Sequence, residues 1–402
     1  MTLASWSAFV DRVIDLNDIA RDHGVLFVRD GVGVAGVGNV ATATSADIDD
    51  VLRSVTVGGS GIAPVAIGTL PFDPSQPGRL RIPEVCVRKF ADGTTQAIAV
   101  AETPSDARAR LEAFLRDISR EVPRPRPTAS SFRIEPLTPI DVYLSAVTAA
   151  RDAVREGRIT KAVIARSIRV TSDSPIDLHG VLLRLRASFG SSYRYSIDGL
   201  VGASPELLVE VEGDTVRSNP LAGTTTRTGD PDTDRRLAEA LLASEKNQIE
   251  HRVVVDMVHD TLLPHCSYLD WEPEASVVPV ANVQHLGTRV EGRLSRRVPS
   301  AQLARLLAPT PALGGHPRDA AVDLIRSVEG MERGNYGGGV GWCDASGDGA
   351  FAVTIRCAEF ADDRRSATLF AGGGIVADSE PESELAETQA KFQAMLSAIV
   401  RP

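Results

Sequence analysis

Short turns between apolar, strand-like runs are the feature that most limits how this chain of 402 residues can fold. Near the C-terminus, residues 338–343, 350–360 and 367–370 read as strands, and only the short turn 344–349 separates the first two. Parallel neighbours need a crossover of about a dozen residues, so strands this close along the chain must pair as antiparallel hairpins. The sequence therefore predicts an α+β fold and not a doubly wound parallel sheet.

A glycine pattern near the N-terminus has the letters of a dinucleotide-binding fingerprint but not its context. Gly31, Gly33 and Gly36 alternate with valines, and the next predicted helix, over residues 45–55 with Ser45 as N-cap, begins well after them. A nucleotide fingerprint must lead directly from a strand into a helix, because the pyrophosphate sits on the helix N-terminus. We therefore predict a β-hairpin at this position.

The composition excludes several classes of protein. A net charge of -10 and a pI near 5.3, without a lysine-rich patch, argue against a nucleic-acid partner, because phosphate binding needs clustered basic residues. Residues 1–24 place apolar side chains at helical spacing among acidic ones, which predicts an amphipathic helix and not a signal peptide. Since no long apolar run follows, we expect a soluble, cytoplasmic protein with no membrane contact.

No zinc or disulfide framework is predicted. The cysteines are widely spaced and form no CxxC pair, which indicates reduced thiols. The histidines of a long helix predicted over residues 232–263 and just beyond it lack the spacing of a zinc protease site, so we expect them on the helix surface or at its cap. These residues are Cys86, Cys266, Cys343, Cys357, His251, His259 and His265.

A proline-rich segment marks the best candidate for a boundary within the chain. A helix predicted over residues 105–121 cannot continue through the Pro-Arg-Pro-Arg-Pro run at 123–127, because proline lacks the amide donor. We therefore divide the chain into an N-terminal part, residues 1–127, and a second part, residues 128–402. Because no low-complexity linker separates them, we expect one compact, two-lobed unit.

A segment near the C-terminus predicts a site for a cation and an anion. The glycines at 372–374 form a close-packed turn that opens onto a predicted helix. On that helix Glu384, Glu387 and Lys391 are spaced i, i+3, i+7, so two carboxylates and an ammonium lie along one face.

Lys161 and Glu206 are candidates for acid–base chemistry. In a strand over residues 162–170, Lys161 shares the apolar face of Val163 and Ala165, where desolvation would lower the pKa of its amine and make a neutral base accessible. The alternative is a lysine at the mouth of a strand that extends to solvent. Glu206 lies between a proline and two leucines, where burial would raise the pKa of its carboxyl and make it a general acid.

Glu250 offers a further oxygen ligand. It stands four residues after Lys246 on the predicted long helix, and taken alone this spacing indicates a surface ion pair. Together with Glu387, however, it would suit Mg²⁺, which prefers one or two carboxylates plus a ligand anion to a full protein cage.

Taken in order, these segments resemble the chorismate-utilising enzymes: isochorismate, salicylate, anthranilate and aminodeoxychorismate synthases. The resemblance runs from about residue 140 to the C-terminus, and a looser match precedes it at residues 67–74. The matching motifs are Lys161-Ala-Val-Ile-Ala-Arg166, Gly202-Ala-Ser-Pro-Glu206, Pro220-Leu-Ala-Gly-Thr224, Glu250-His251, Gln284-His285-Leu286-Gly287, Pro309-Thr-Pro-Ala-Leu313, Ile355-Arg356 and residues 372–391.

The resemblance implies a chorismate-binding fold, in which two large, mostly antiparallel β-sheets pack face to face with helices outside. Relatives that add ammonia typically have glutamine in place of Lys161, and aminodeoxychorismate synthases often have a nucleophilic lysine in place of Ala222, so both positions favour water as nucleophile. Salicylate synthases usually have threonine where this chain has Ala312. The sequence is thus closest to isochorismate synthases, isomerases that depend on Mg²⁺.

The resemblance also implies a role for each site residue. Lys161 would deprotonate the water that attacks C2 of chorismate, and Glu206 would protonate the C4 hydroxyl as it leaves. Glu250 and Glu387 would hold Mg²⁺, with Glu384 in support. The substrate carboxylates would be held by Tyr336, Arg356, Gly372, Gly374 and Lys391, the pocket would be lined by Gly223, Thr224 and His285, and selectivity would be shaped by Ala312 and Leu313.

One departure from the family pattern concerns the metal's surroundings, because Asn247 stands where many relatives have an acidic residue. The alternatives are a salicylate synthase, which would also eliminate pyruvate, and a catalytically silent chorismate-binding protein. We expect a monomer with no obligatory amidotransferase subunit. The sequence leaves open whether the product serves menaquinone or siderophore biosynthesis.

Overall fold

The fold is known from a computed structural model, which describes residues 3–118, 131–280 and 283–400. In chain order, the α-helices of the described residues are α1 (Leu16–Ala20), α2 (Ile48–Arg53), α3 (Pro104–Asp117), α4 (Ile140–Arg155), α5 (Leu178–Phe189), α6 (Pro231–Ala243), α7 (Glu245–Leu262), α8 (Ser300–Leu307), α9 (Arg318–Val328) and α10 (Pro381–Val400).

The β-strands of the same residues are β1 (Ala4–Phe9), β2 (Val25–Arg29), β3 (Val32–Val37), β4 (Ala41–Thr44), β5 (Thr56–Gly59), β6 (Val65–Leu70), β7 (Arg79–Ile82), β8 (Val85–Lys89), β9 (Thr95–Ala101), β10 (Phe132–Pro136), β11 (Lys161–Ser172), β12 (Tyr193–Ile197), β13 (Leu200–Ser204), β14 (Leu207–Glu212), β15 (Thr215–Asn219), β16 (Leu221–Thr226), β17 (Cys266–Trp271), β18 (Ser276–Pro279), β19 (Val283–Gly287), β20 (Val290–Leu294), β21 (Gly315–His316), β22 (Gly339–Asp344), β23 (Gly349–Val353), β24 (Cys357–Phe360) and β25 (Ser366–Ile375).

Two large sheets dominate the structure. The first has the strand order β10-β11-β25-β24-β13-β12-β2-β3-β8-β9-β1-β5, with β21 added beside β11, and the second has the order β17-β20-β15-β14-β23-β22-β6-β7-β4. A small sheet, β16-β19-β18, lies apart from them. Nearly all pairs are antiparallel, and β1 beside β5 is a parallel exception. The predicted α+β class is confirmed.

The main core lies between the inner faces of the two large sheets. It joins Phe27 and Ile197 of the first sheet to Ile67 and Phe351 of the second in one buried cluster. The outer face of the first sheet is covered by α1, α3, α5 and α10, whose apolar side chains form a second cluster. Sheets packed face to face with helices outside are the arrangement that the resemblance implies.

Strands from before and after the predicted boundary share both large sheets. In the first sheet β2 pairs with β12, and in the second β6 pairs with β22. The boundary itself, at residues 123–127, lies outside the described residues.

Some sequence-based predictions of helices are wrong. Residues 1–24 hold β1 and the short α1 instead of one amphipathic helix, because Trp6 pairs with Ala99 of β9 and Gly58 of β5. The helix expected over 45–55 is α2, and Ser45 does not cap it, because its hydroxyl accepts a hydrogen bond from the Gly78 amide. The predicted long helix is divided at Ser244, whose extended backbone ends α6 and whose side chain caps α7.

Two compositional expectations have clear outcomes. The four cysteines are free thiols, and all but the partly exposed Cys266 are buried. His251 is buried, with 3% of its surface exposed, so the expectation that it lies on the helix surface is wrong. Within residues 3–118, 131–280 and 283–400, no helix is long and apolar enough to span a membrane.

Candidate active site

Every site residue predicted from the sequence lines one cavity of about 270 Å³. The cavity lies where β11 and β25 meet α7, α10 and the turn before β14. The residues that the structure brings together there are Lys161, Glu206, Gly223, Thr224, Glu250, His285, Ala312, Leu313, Tyr336, Arg356, Gly372, Gly374, Glu384, Glu387 and Lys391. The roles of these residues remain predictions.

Lys161 begins β11 and is directed into the cavity. Only 3% of its surface is exposed, so the alternative of a lysine that extends to solvent is wrong. Its Nζ donates a hydrogen bond of 2.6 Å to Oε1 of Glu250. The sequence had paired Glu250 with Lys246 on the same helix, but the structure pairs it across the cavity with Lys161.

Glu206 is buried at the end of the short turn between β13 and β14. It is 2% exposed, and its Oε1 accepts a hydrogen bond of 3.4 Å from the Leu221 amide. Burial raises the pKa of Glu206 to about 8, against the opposing effects of the Leu221 amide and the charge of Lys161. The carboxyl therefore carries its proton at neutral pH, as the sequence predicted, and can donate it.

The first turns of α10 position two carboxylates. The Ser379 hydroxyl accepts a hydrogen bond from the Val376 amide and donates one of 2.8 Å to Oε1 of Glu384. These bonds hold the Glu384 side chain against the segment just before the helix. Burial, together with the negative charge of Glu387, raises the pKa of Glu384. Burial also acts to raise the pKa of Glu387, but Lys391 and Arg356 outweigh it and bring that pKa below its usual value.

Lys391 connects α10 to β25. Its Nζ donates to Oε1 of Glu387 and to the carbonyl oxygen of Gly372, each at 2.6 Å. The predicted i, i+3, i+7 face of this helix therefore exists, and its ammonium is shared between the helix and the neighbouring strand.

The prediction of a turn at the glycines 372–374 is wrong, because these residues lie in β25 and pair with β11. There they make room for the side chains of this site. A Cβ atom at Gly373 would lie 2.6 Å from Oε2 of Glu384. A Cβ atom at Gly374 would lie 2.8 Å from both Oε1 of Glu250 and Cε of Lys161. Both distances are shorter than van der Waals contact, so only glycine leaves the ion pair and the carboxylate where they are.

Arg356 and His285 also line the cavity. Arg356 has a φ of +52°, a conformation that non-glycine residues adopt rarely and often at functional sites. Its Nη2 lies 3.5 Å from Nε2 of His285, whose Nδ1 is 3.0 Å from the Thr224 hydroxyl. Burial and the charges of Arg356 and Lys391 lower the pKa of His285 to about 3, so the ring is neutral. The buried Nη1 of Arg356 has no hydrogen-bond partner among the described residues and is available to an anion.

The cavity offers carboxylate oxygens, the ligand type that Mg²⁺ prefers. Within residues 3–118, 131–280 and 283–400, no three carboxylate, histidine or cysteine groups converge on one point. Mg²⁺ often binds through one or two carboxylates and a ligand anion, and Glu250 and Glu387 supply such a pair. The repulsion between Glu384 and Glu387, visible in the raised pKa of Glu384, is one that a cation would relieve.

The cavity also contains residues to which the sequence assigned no role in the site. Lys246 and Ser383 line it, although Lys246 was expected in a surface pair. Asn247 packs against Gly223, whose φ is +73° and whose missing Cβ would lie 3.1 Å from Oδ1 of Asn247. The family-pattern departure at Asn247 was the signal that could have placed it here.

Comparisons with known proteins agree with this geometry. Residues 37–400 match the family described as chorismate binding enzyme. The isochorismate synthase DhbC of Bacillus subtilis is 35% identical over 396 residues, which cover 95% of this chain and 92% of DhbC. The isochorismate synthase EntC of Escherichia coli is 36% identical over 83% of this chain and 81% of EntC. The solved structure of DhbC from Bacillus anthracis has a TM-score of 0.80 and 33% identity, and covers 95% of this chain and 98% of that one.

Proposed function

The chain belongs to the chorismate-binding enzyme family, and on this premise we propose that it is an isochorismate synthase, an isomerase that converts chorismate to isochorismate. The observation that carries the proposal is the pairing, in one cavity, of an amine on Lys161 with a carboxyl on Glu206 that stays protonated near neutral pH. We propose that Lys161 accepts a proton once its own amine is neutral, while Glu206 donates one, which is what the exchange of hydroxyl groups on a ring requires.

The cationic side chains that line the cavity favour an anionic substrate with two carboxylates. We propose that Arg356 holds a carboxylate through its unpartnered Nη1, because a guanidinium fork fixes a planar carboxylate in orientation. Lys391 and the Tyr336 hydroxyl, together with the backbone of Gly372 and Gly374, are proposed as further carboxylate contacts. The remaining lining residues of the proposed substrate site are Gly223, Thr224, His285, Ala312 and Leu313.

In the proposed reaction one proton passes from the substrate water to the protein, and one passes from the protein to the leaving group. Lys161 takes a proton from water as the water oxygen bonds to C2, and the ring double bonds shift. The C4–O bond breaks, and Glu206 gives its proton to the departing hydroxyl, which leaves as water. One water enters and one leaves, so substrate and product are isomers.

Glu250 and Glu387 are the residues that we propose hold Mg²⁺, with Glu384 in support. When bound, the cation would neutralise negative charge on the substrate carboxylate and on the glutamates. Asn247, close to Glu250 on α7, stands where many relatives have an acidic residue. We propose that it removes no metal ligand but weakens the support that neighbouring residues give to the ligands.

Two features of the chain support water and not ammonia as the nucleophile. Lys161 stands where ammonia-adding relatives have glutamine, and Ala222, which lines the cavity, stands where aminodeoxychorismate synthases have a nucleophilic lysine. The two relatives reported above, both named isochorismate synthases, support the same choice. We propose that residues 128–402 carry the site and that residues 1–127 complete its sheets, in a monomer without an amidotransferase partner.

The test is to incubate the purified chain with chorismate and Mg²⁺ and to separate the products. We expect isochorismate as the main product, without added ammonia or glutamine. Salicylate with an equal amount of pyruvate would assign the chain to the salicylate synthases instead. Chorismate that binds but is recovered unchanged would favour the catalytically silent alternative.

A further inference from the structure

A buried ion pair outside the cavity completes the edge of the strand that carries Lys161. Arg333 and Glu329 are 4% and 2% exposed, and their side chains form a two-point pair in which Nε donates to Oε2 at 2.8 Å and Nη2 donates to Oε1. Neither residue lines the cavity, and neither belongs to a motif that the sequence singled out.

The side chains of Arg333 and Glu329 bond to backbone groups of β11 that a neighbouring strand would otherwise pair. On this edge of β11, the Val163 amide donates to the Gly314 carbonyl beside β21, and the Ser167 amide donates to the Thr138 hydroxyl just after β10. Between those two points no strand of the described residues lies alongside. Arg333 Nη2 instead donates to the Val163 carbonyl at 2.6 Å, and the Ala165 amide donates to Oε1 of Glu329 at 2.7 Å. Buried backbone groups of a strand need such partners, and here side chains supply them.

The same guanidinium also holds two elements of the cavity wall. Its Nη1 donates to the Leu313 carbonyl at 2.8 Å, and the side chain of Leu313 lines the cavity. Its plane lies over the ring of Phe72 at 4.2 Å and near the ring of Tyr336 at 5.9 Å. Counting the bond to the Val163 carbonyl, Arg333 therefore contacts three residues that line the cavity, Val163, Leu313 and Tyr336. No lysine could reach all three at once, because only arginine has several donors in a rigid fork.

We propose that Glu329 and Arg333 are positioning residues, which set the distance between Lys161 on β11 and the loop of Ala312 and Leu313. This inference rests on the proposed function, in that the reaction needs a base and a selectivity loop in fixed register. A base displaced by about 1 Å can lose on the order of 100-fold in rate, so a pair that touches no substrate can still control turnover.

The first experiment compares Arg333→Lys with the wild type. The lysine keeps the positive charge beside Glu329 but cannot serve Val163, Leu313 and Glu329 together. We expect kcat per folded protein to fall by on the order of 10- to 100-fold, and the share of pyruvate among the products to rise. Arg326→Lys is the matched control, because Arg326 lies on α9 in exposed ion pairs with Asp73 and Asp323 and should change neither quantity.

The second experiment does not depend on activity. In Glu329→Gln the amide oxygen can still accept from Ala165, but the charged pair with Arg333 is lost, so we expect faster hydrogen exchange at the Ala165 amide. This variant also serves if Arg333→Lys does not fold. A wild-type product ratio and unchanged exchange at Ala165 would overturn the proposal. If the wild type makes no isochorismate, the proposed function fails, while faster exchange at Ala165 would still support the role of the pair in completing β11.

Discussion

The two sides of the cavity treat the same kind of side chain in opposite ways. The uncharged wall is formed by Glu206, Thr224 and His285. There the carboxyl of Glu206 is buried and hydrogen-bonded to one backbone amide, and burial raises its pKa to about 8. On the charged wall, formed by Lys161, Glu250, Glu384, Glu387 and Lys391, the carboxylate of Glu387 lies beside an ammonium that lowers its pKa.

This difference shows that surroundings, and not residue type, divide the labour among the glutamates. A buried glutamate that forms no bond to a lysine keeps its proton, whereas one bonded to a lysine is an anion suited to a cation. The comparison can be tested by removing a group from each wall in turn.

The largest effect is expected from Lys161→Ala, which removes the proposed base from the charged wall. We expect kcat to fall by about 10³-fold, within the usual contribution of a general base, while chorismate and Mg²⁺ still bind. Turnover by product separation and binding by calorimetry give the two readings. Lys89→Ala, at a lysine on β8 that bonds to the Ile14 carbonyl, is the control. Undiminished turnover in Lys161→Ala would refute the base assignment.

A smaller effect is expected from Glu387→Gln, which keeps the shape of the charged wall but removes one anion. The Mg²⁺ concentration for half-maximal rate should rise by roughly 10- to 100-fold, because a neutral amide is a poorer ligand for a hard cation. Glu382→Gln, an exposed change in the first turn of α10, should leave that concentration unaltered. An equal response of both variants to Mg²⁺ would remove Glu387 from the ligand set.

The smallest effect is a pH dependence set by the uncharged wall. Since Glu206 must be protonated to donate, kcat should fall to about half at pH 8 and about tenfold per further unit. A steady-state pH profile with saturating chorismate and Mg²⁺ measures this limb. A rate that stays level to pH 10 would show that the proton comes from another group.

The same group gives a stability prediction whose sign follows from its two pKa values. Folded Glu206 has a pKa of about 8 against an ordinary value of 4.5, so the native state holds more protons between those values. The free energy of unfolding of the wild type should therefore fall as the pH rises through this window. Glu206→Gln should lack that part of the fall, which chemical denaturation at pH 5 and pH 9 would detect.

Local patterns predicted much of the fold, and distant pairings account for what they missed. The C-terminal hairpins follow from short turns, and β22 and β23 pair as predicted. The single strand predicted over 350–360 is wrong, because it is divided into β23 and β24, which belong to different sheets. The N-terminal helix was wrong because Trp6 lies in a strand whose partners, β9 and β5, are far along the chain. Periodicity within residues 1–24 contains no information about those partners.

The site shows the same limit. Lys161, Glu206 and the glutamates could be predicted as site residues, because each lies in a motif that is a continuous segment of the sequence. The bond from Lys161 to Glu250 was missed in favour of the nearer Lys246, since only the fold places β11 beside α7. Arg333 was not singled out, because two of its partners are backbone carbonyls, which every residue has, and its i, i+4 spacing from Glu329 is also that of an ordinary surface ion pair.

The missing side chains of Gly373 and Gly374 have a consequence for the gene. Glycine has four codons that differ only in the third base, so any missense change at either position comes from the first or second base and introduces a residue with at least a Cβ atom. At Gly373 that atom would enter the space of the Glu384 carboxylate, and at Gly374 the space between Lys161 and Glu250. Every missense change at these codons therefore requires one of these charged side chains to move, even though neither glycine contributes a side-chain atom to the chemistry.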